Sequence, residues 1–183
     1  MFPSPRLEEA QGVRIIGHDS MTLSDIKTLL DFNFWANNRL MSVLEILTDE
    51  QYTKDVGSSH GGVRGTLAHI LASHEMWLSR WQGNPSKTTI DAGGGPTLAG
   101  AKQFWENIRR QLTAFVNELT EDDLTKMINY TNVRGESYST PLGQMMQHLV
   151  NHATYHRGQI VTMLRQIGVK PVNTDMILYF RQR

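Results

Sequence analysis

The chain has no cysteine among its 183 residues. That absence excludes a structural disulfide, a thiolate metal ligand and a cysteine nucleophile. Any metal centre must therefore be assembled from histidine, carboxylate, amide or water. An excess of either charge is lacking too: 18 Lys+Arg stand against 18 Asp+Glu, a formal net charge of zero. Nucleic-acid binding normally leaves a basic footprint, so this balance points away from DNA or RNA as partners. No apolar run approaches the roughly 20 residues needed to cross a bilayer. The N-terminus lacks the basic start and long apolar centre of a secretory signal. A cytoplasmic protein with no membrane partner is expected. Internal repeats and low-complexity tracts are also absent.

What is present is ordinary globular material, 39% hydrophobic and 20% charged, in a length that suits one domain with a full core. Residues 1–20 carry Pro3, Pro5, Gly12 and Gly17 and show no sustained period beyond Val13, Arg14, Ile15 and Ile16. They read as an irregular N-terminal extension, with the domain proper spanning 21–183. Helical spacing then recurs in four long segments. The first covers residues 22–47, capped by Thr22, with Ile26, Leu29, Leu30, Leu40, Met41, Leu44 and Leu47 inward. Asn33 and Asn37 lie close to the centre of that stripe. Buried amides need partners, so they either satisfy one another and nearby backbone or line a polar cavity. Phe32 and Trp35 fall on the opposite side of the helical wheel and suggest a contact surface for a second subunit.

Residues 48–65 read as a polar, glycine-rich connection. A second helix follows over 66–82, ended by Gly83, Asn84 and Pro85, and a third over 97–119, preceded by Gly93, Gly94, Gly95 and Pro96. Residues 127–139 read as a small hairpin with Tyr130 and Tyr138 on its arms. The last long helix covers 140–168, with Thr140 as cap, Pro141 at its first position and Gly168 as stop; a polar-aromatic tail follows. Four amphipathic helices with one hairpin before the last make an all-α four-helix bundle, an architecture that builds metal sites from facing helices.

The chemistry concentrates in the last helix. His148, His152 and His156 step through it four residues apart. At about 100° per residue, His156 falls about 40° from the centre of the apolar stripe, His152 about 80° and His148 about 120°. His148 is therefore a rim or surface residue. His152 and His156 are an i, i+4 pair at which two imidazoles can meet one metal ion. The alternative is a pair of hydrogen-bonded core histidines. In the second helix periodicity buries His74 and puts His69 about 130° from the stripe.

The stretches FNFWANNRL, RGTLAHILASHEMWLSRWQG and HLVNHATYHRGQIVTMLRQIG occur in this order across residues 22–171, and on them the chain resembles the DinB/YfiT-like family, named for its damage-inducible members. The resemblance implies a four-helix bundle of that family's own topology, often a homodimer, holding a divalent metal through three histidines. Those positions correspond here to His69, His152 and His156. Zinc or nickel suits an all-imidazole set, and three ligands leave room for water or substrate. Related proteins include thiol S-transferases and thiol-dependent isomerases, which implies a small-molecule substrate or thiol partner. Family members commonly carry an acid five positions after the helix-two histidine; this chain has His74 there and Glu75 next. Arg157, Gln159, Tyr155, Asn33 and Asn37 are candidate supporting groups, and the catalytic residues are not legible. Two functions follow, a metal-dependent transferase or hydrolase and a non-catalytic, stress-associated metal or small-ligand binding protein.

Overall fold

A computed structural model describes residues 21–84, 88–90, 95–132 and 134–182. The extension expected over 1–20 lies outside the described residues, as do Pro85, Gly93, Gly94 and Val133 from the expected helix stop, loop and hairpin turn. Four long helices carry the architecture: α1 (Leu23–Leu44), α3 (Val63–Trp81), α4 (Leu98–Asn117) and α5 (Leu142–Gln166). Between α1 and α3 lie a short helix α2 (Asp49–Thr53) and an antiparallel ribbon of β1 (Asp55–Ser58) and β2 (Gly61–Gly62). A 3-10 turn at Asp122–Thr125 leads into the antiparallel hairpin β3 (Met127–Thr131) and β4 (Ser137–Pro141), and α6 (Met176–Arg181) ends the described chain.

The long helices close a ring in which α1 packs on α5, α5 on α3, α3 on α4 and α4 on α1. The four-helix bundle read from sequence is therefore the fold, with a hairpin before its last long helix. Burial decides which helix face turns inward. On α1 the capping box is complete: Thr22 Oγ1 accepts from Asp25 N at 3.1 Å, and Asp25 Oδ2 accepts from Thr22 N at 3.0 Å. Such a cap contributes about 1 kcal/mol. Burial of Ile26, Leu30, Leu40, Met41 and Leu44 contributes on the order of 10 kcal/mol. Packing therefore sets the helix, and the cap sets where it starts.

Three expectations need correction. Phe32 is buried, and Trp35 is half covered. Their rings stand 5.9 and 5.8 Å from the Tyr179 ring, so α6 folds the tail back over the outer face of α1. That face is engaged within the chain and does not stand open as expected. The N-cap of α5 is also displaced. Thr140 pairs with Ile128 inside the hairpin, β4 runs on to Pro141, and Leu142 N donates to Lys126 O at 3.0 Å. Backbone bonding of the ribbon takes the place of a side-chain cap. Finally, the connection over 48–65 has structure of its own, with Thr48 capping α2 and a ribbon that brings His60 against α3.

Among the described residues, no helix is long and apolar enough to cross a membrane.

Candidate metal centre

His69 stands on the first half of α3, one side of the inward stripe, where it is partly exposed. His152 and His156 stand one turn apart on α5, the first partly exposed and the second buried. Because α3 and α5 are neighbours in the ring, these three rings converge: the centroids of His69 and His156 are 4.4 Å apart, those of His152 and His156 4.4 Å, and those of His69 and His152 5.0 Å. The Nε2 atoms of His69 and His152 lie 3.0 Å from each other. Two ring nitrogens at that distance share a proton or face a cation, because bare lone pairs repel. Metal–nitrogen bonds of about 2.0–2.1 Å place neighbouring ligand nitrogens about 2.9–3.4 Å apart, between octahedral and tetrahedral angles. The observed spacing falls inside that window.

A fourth ring joins them. His60, in the turn between β1 and β2, stacks on His69 with centroids 4.1 Å apart and planes 19° from parallel, and stands edge-on to His156 at 5.4 Å. Ligating nitrogens of His60, His69 and His156 all lie within 4.8 Å of one another. The sequence reading missed His60, because helical periodicity carries no information about a glycine-rich connection. The available signal was the His-Gly-Gly triplet: Gly61 has φ +79°, and a turn of that kind delivers a side chain to the start of the next helix.

The protonation pattern suits metal binding. Burial, followed by the neighbouring charges of His60 and His156, holds His69 down to about 4. His152 is held at about 3 by burial and then by the other histidines, His156 first. Burial and then His156 also lower His60. Neutral imidazole is the form that ligates. On His156 the tautomer is fixed, since Nδ1 lies 2.8 Å from Gln159 Oε1, a carbonyl oxygen that only accepts. Nδ1 therefore carries a proton, which leaves Nε2 as the nitrogen available for ligation. A side chain one turn further along the helix thus orients the His156 ring, an arrangement also common behind metal-bound histidines. Ser73 Oγ donates to His69 O at 2.8 Å and lies 3.1 Å from His152 Nε2, which ties the two helices together beside the rings. The donor set fits a divalent transition metal with a preference for nitrogen.

His74 is the buried histidine of α3, as periodicity predicts, and it belongs to a different network. Its Nδ1–H donates to Ile70 O at 2.7 Å, and Asn33 Nδ2–H donates to its Nε2 at 2.8 Å. Asn33 Oδ1 in turn accepts from Arg157 Nη1 at 2.7 Å; the same nitrogen reaches Asn37 Oδ1 at 3.0 Å, and Nη2 reaches Thr154 Oγ1 at 2.6 Å. Asn33, His74 and Arg157 have no exposed surface. The oxygens of both amides thus accept from a cation on another helix, and Asn33 Nδ2 also meets a histidine, while among the described residues Asn37 Nδ2 and Arg157 Nε find no partner. Glu75 accepts from Thr89 N and Oγ1 at 2.7 and 2.9 Å and does not reach the rings. His148 is exposed, its ring 5.6 Å from that of His152, and Tyr155 is exposed with its ring 5.0 Å from His156.

Comparison with known proteins agrees with this architecture. The curated protein DinB of Bacillus subtilis (strain 168) is 29% identical over 164 residues, covering 82% of this chain and 91% of that protein. A DinB-like protein from Bacillus cereus superposes with a TM-score of 0.59 at 24% identity, over 83% of this chain and 97% of the other. YfiT from Bacillus subtilis, described as a probable metal-dependent hydrolase with an unusual four-helix bundle topology, superposes with a TM-score of 0.67 at 15% identity, over 84% and 93%. At these identities the two structures speak for the fold alone. The DinB family model matches residues 20–183, which is nearly all of the sequence. On that match, the chain belongs to the DinB family.

Proposed function

We propose that this chain is a metal-dependent enzyme acting on a small molecule, with His69, His152 and His156 as ligands of one divalent transition metal, zinc or nickel. Supporting this reading most directly is the convergence of imidazoles from α3 and α5, two of them with Nε2 atoms 3.0 Å apart. A divalent metal supplies Lewis acidity there, polarising a substrate oxygen or making water or a thiol nucleophilic near neutral pH. Among the protein's own groups, Gln159 would hold His156 through its Nδ1–H, and a metal on His152 Nε2 would displace that nitrogen's contact with Ser73 Oγ, which stays bonded to His69 O. Hydrolysis and thiol S-transfer both suit such a centre. YfiT's description as a probable metal-dependent hydrolase adds weight to the first. Cytoplasmic residence is part of the same reading.

The binding-protein alternative rests on one observation. Where the family commonly has an acid, His74 is locked into the Asn33 network and Glu75 is held by Thr89, so neither is placed to move a proton at the rings. The discriminating experiment starts with metal content. Elemental analysis of protein purified without a histidine tag is expected to find about one metal per chain, lost in the His152→Ala, His156→Ala double variant. Stoichiometric metal in that variant would defeat the assignment. The metallated protein is then screened with small thiols and with ester, epoxide and maleate-like electrophiles. Turnover that survives His69→Ala places the chemistry elsewhere, and no turnover with any substrate class favours the binding reading.

A homodimer is proposed on the family resemblance alone, since Phe32 is spoken for within the chain. A monomeric mass in solution at micromolar concentration would remove it.

A further inference from the structure

The ribbon β1–β2 is built to hold His60 against the rings. A Cβ on Gly65 would lie 2.0 Å from His60 O, and one on Gly62 would lie 2.0 Å from Lys54 O. Real Cβ contacts do not come so close. Glycine at both positions is therefore what lets the ribbon press onto the first turn of α3, and Gly62 N donates to His60 O at 3.0 Å to close the turn. A connection whose only task was to join two helices would not need that approach. The consequence of the approach is the 4.1 Å stack of His60 on His69 and the 4.8 Å cluster of nitrogens with His156.

We propose that His60 is a fourth imidazole ligand of the centre, closing the coordination position that three helix-borne histidines leave open. The proposal rests on the three-histidine reading above and adds to it a resting state with four nitrogens. His69, His152 and His156 stand on bundle helices. His60 stands on a two-stranded ribbon whose path includes two glycines at positive φ, Gly57 at +71° and Gly61 at +79°. An isolated two-stranded ribbon is marginally stable by itself. The fourth ligand is thus the one that can leave without disturbing the bundle, and it leaves the position a substrate then takes. Four protein ligands normally mark a structural zinc site. Here the weak attachment of the fourth separates this centre from that class.

The test uses the full-length protein stripped of metal and titrated with Co(II), whose visible absorption is strong in four-coordinate and weak in six-coordinate surroundings, with zinc affinity measured by competition. Zinc-edge X-ray absorption counts the imidazoles. The wild type is expected to give a four-coordinate spectrum and four imidazoles, and His60→Ala three imidazoles, a cobalt spectrum shifted as water replaces a nitrogen, and at least tenfold weaker zinc binding. Gly65→Ala removes no ligand yet pushes on the ribbon, and it shifts the spectrum in the same direction while its helical circular dichroism stays that of the wild type. Wild-type and His60→Ala proteins with the same spectrum and zinc affinity overturn the proposal and leave the three-histidine centre standing. Loss of metal in His60→Ala but not in His152→Ala supports His60 as a ligand and overturns the place of His152 in the set. Absence of stoichiometric metal from the wild type overturns both.

Discussion

Replacing Asn33 by leucine tests the network that couples α1 to the helices of the metal centre. The substitution keeps approximate volume and removes two hydrogen bonds, the 2.8 Å one to His74 Nε2 and the 2.7 Å one from Arg157 Nη1. All three side chains are fully buried, so water cannot replace the lost partner. An orphaned buried acceptor costs about 1–3 kcal/mol, and a donor on a charged group falls at or above the top of that range. Arg157 keeps Asn37 Oδ1 and Thr154 Oγ1, which limits its share, and the buried leucine returns about 1–2 kcal/mol. The net loss expected is about 2–4 kcal/mol. Urea unfolding of metal-free protein at pH 8, with an unchanged m-value, measures it. An exposed amide serves as comparison: Asn38 accepts from Trp105 Nε1 at 2.7 Å, and because that indole is buried, Asn38→Ala should lose about 1 kcal/mol once truncation of the exposed side chain lets water in. The decisive arm is a double-mutant cycle with His74→Leu, which removes both halves of one bond. The pair should be more stable than the sum of the singles by at least about 1 kcal/mol. If Asn33→Leu costs less than the Asn38 control, or the cycle shows no coupling, the bonds described here do not hold the bundle.

The same histidine predicts an acid response. His74 is held down to about 4, chiefly by burial, so the unfolded chain with its ordinary value of 6.5 binds the proton more readily. Stability from this group is therefore complete above pH 6.5, falls as the pH drops towards 4, and levels off below, a span of about 3 kcal/mol. In metal-free protein the slope of unfolding free energy between pH 7.5 and 4.5 should shrink in His74→Gln, and equal slopes would refute the burial argument. Tyr179→Ala should cost about 2–4 kcal/mol, because the ring is buried against Phe32 and Trp35. A loss below about 1 kcal/mol would show that α6 lies outside the cooperative unit, and the face of α1 would again be free for a partner.

Sequence reasoning reached the bundle because each long helix announces itself through a 3.6-residue stripe, and Thr22 and Thr97 do cap their helices. Periodicity reads which side of a helix is apolar. It does not read what covers the other side, so Phe32 and Trp35 looked free until the tail proved to fold into α6 and lay Tyr179 on them. His69 and His74 show a related limit. Spacing identifies the buried histidine correctly as His74, but burial is the wrong test for a ligand. A ring with both nitrogens engaged at 2.7 and 2.8 Å has no lone pair to offer, while His69, well off the stripe, faces three other rings. Family motifs supplied that position. Neither route found His60, which belongs to a short ribbon where strands of four and two residues leave no period to detect.

One helix joins both polar systems, and their separation explains how an all-imidazole centre can stay ordered without an acid in contact. His156 and Arg157 are consecutive and both buried, so they point about 100° apart around α5. His156 is aimed at His69 on α3, and Arg157 at Asn33 and Asn37 on α1. Turning α5 far enough to spoil the first contact must pull the guanidinium from the two amide oxygens of α1, inside a core that holds no salt bridge to it among the described residues. Apolar packing alone would tolerate such a rotation better, since Leu149, Met145 and Ile160 can exchange neighbours at modest loss. A fork with fixed donor directions cannot. Burying the cation is costly, and burial lowers Arg157 to about 10, yet at pH 7 it remains charged and so demands its partners. That demand fixes the angle of α5, and with it the direction in which His152 and His156 face α3. The polar core on the α1 side thus helps to set the direction in which the histidine cluster is presented.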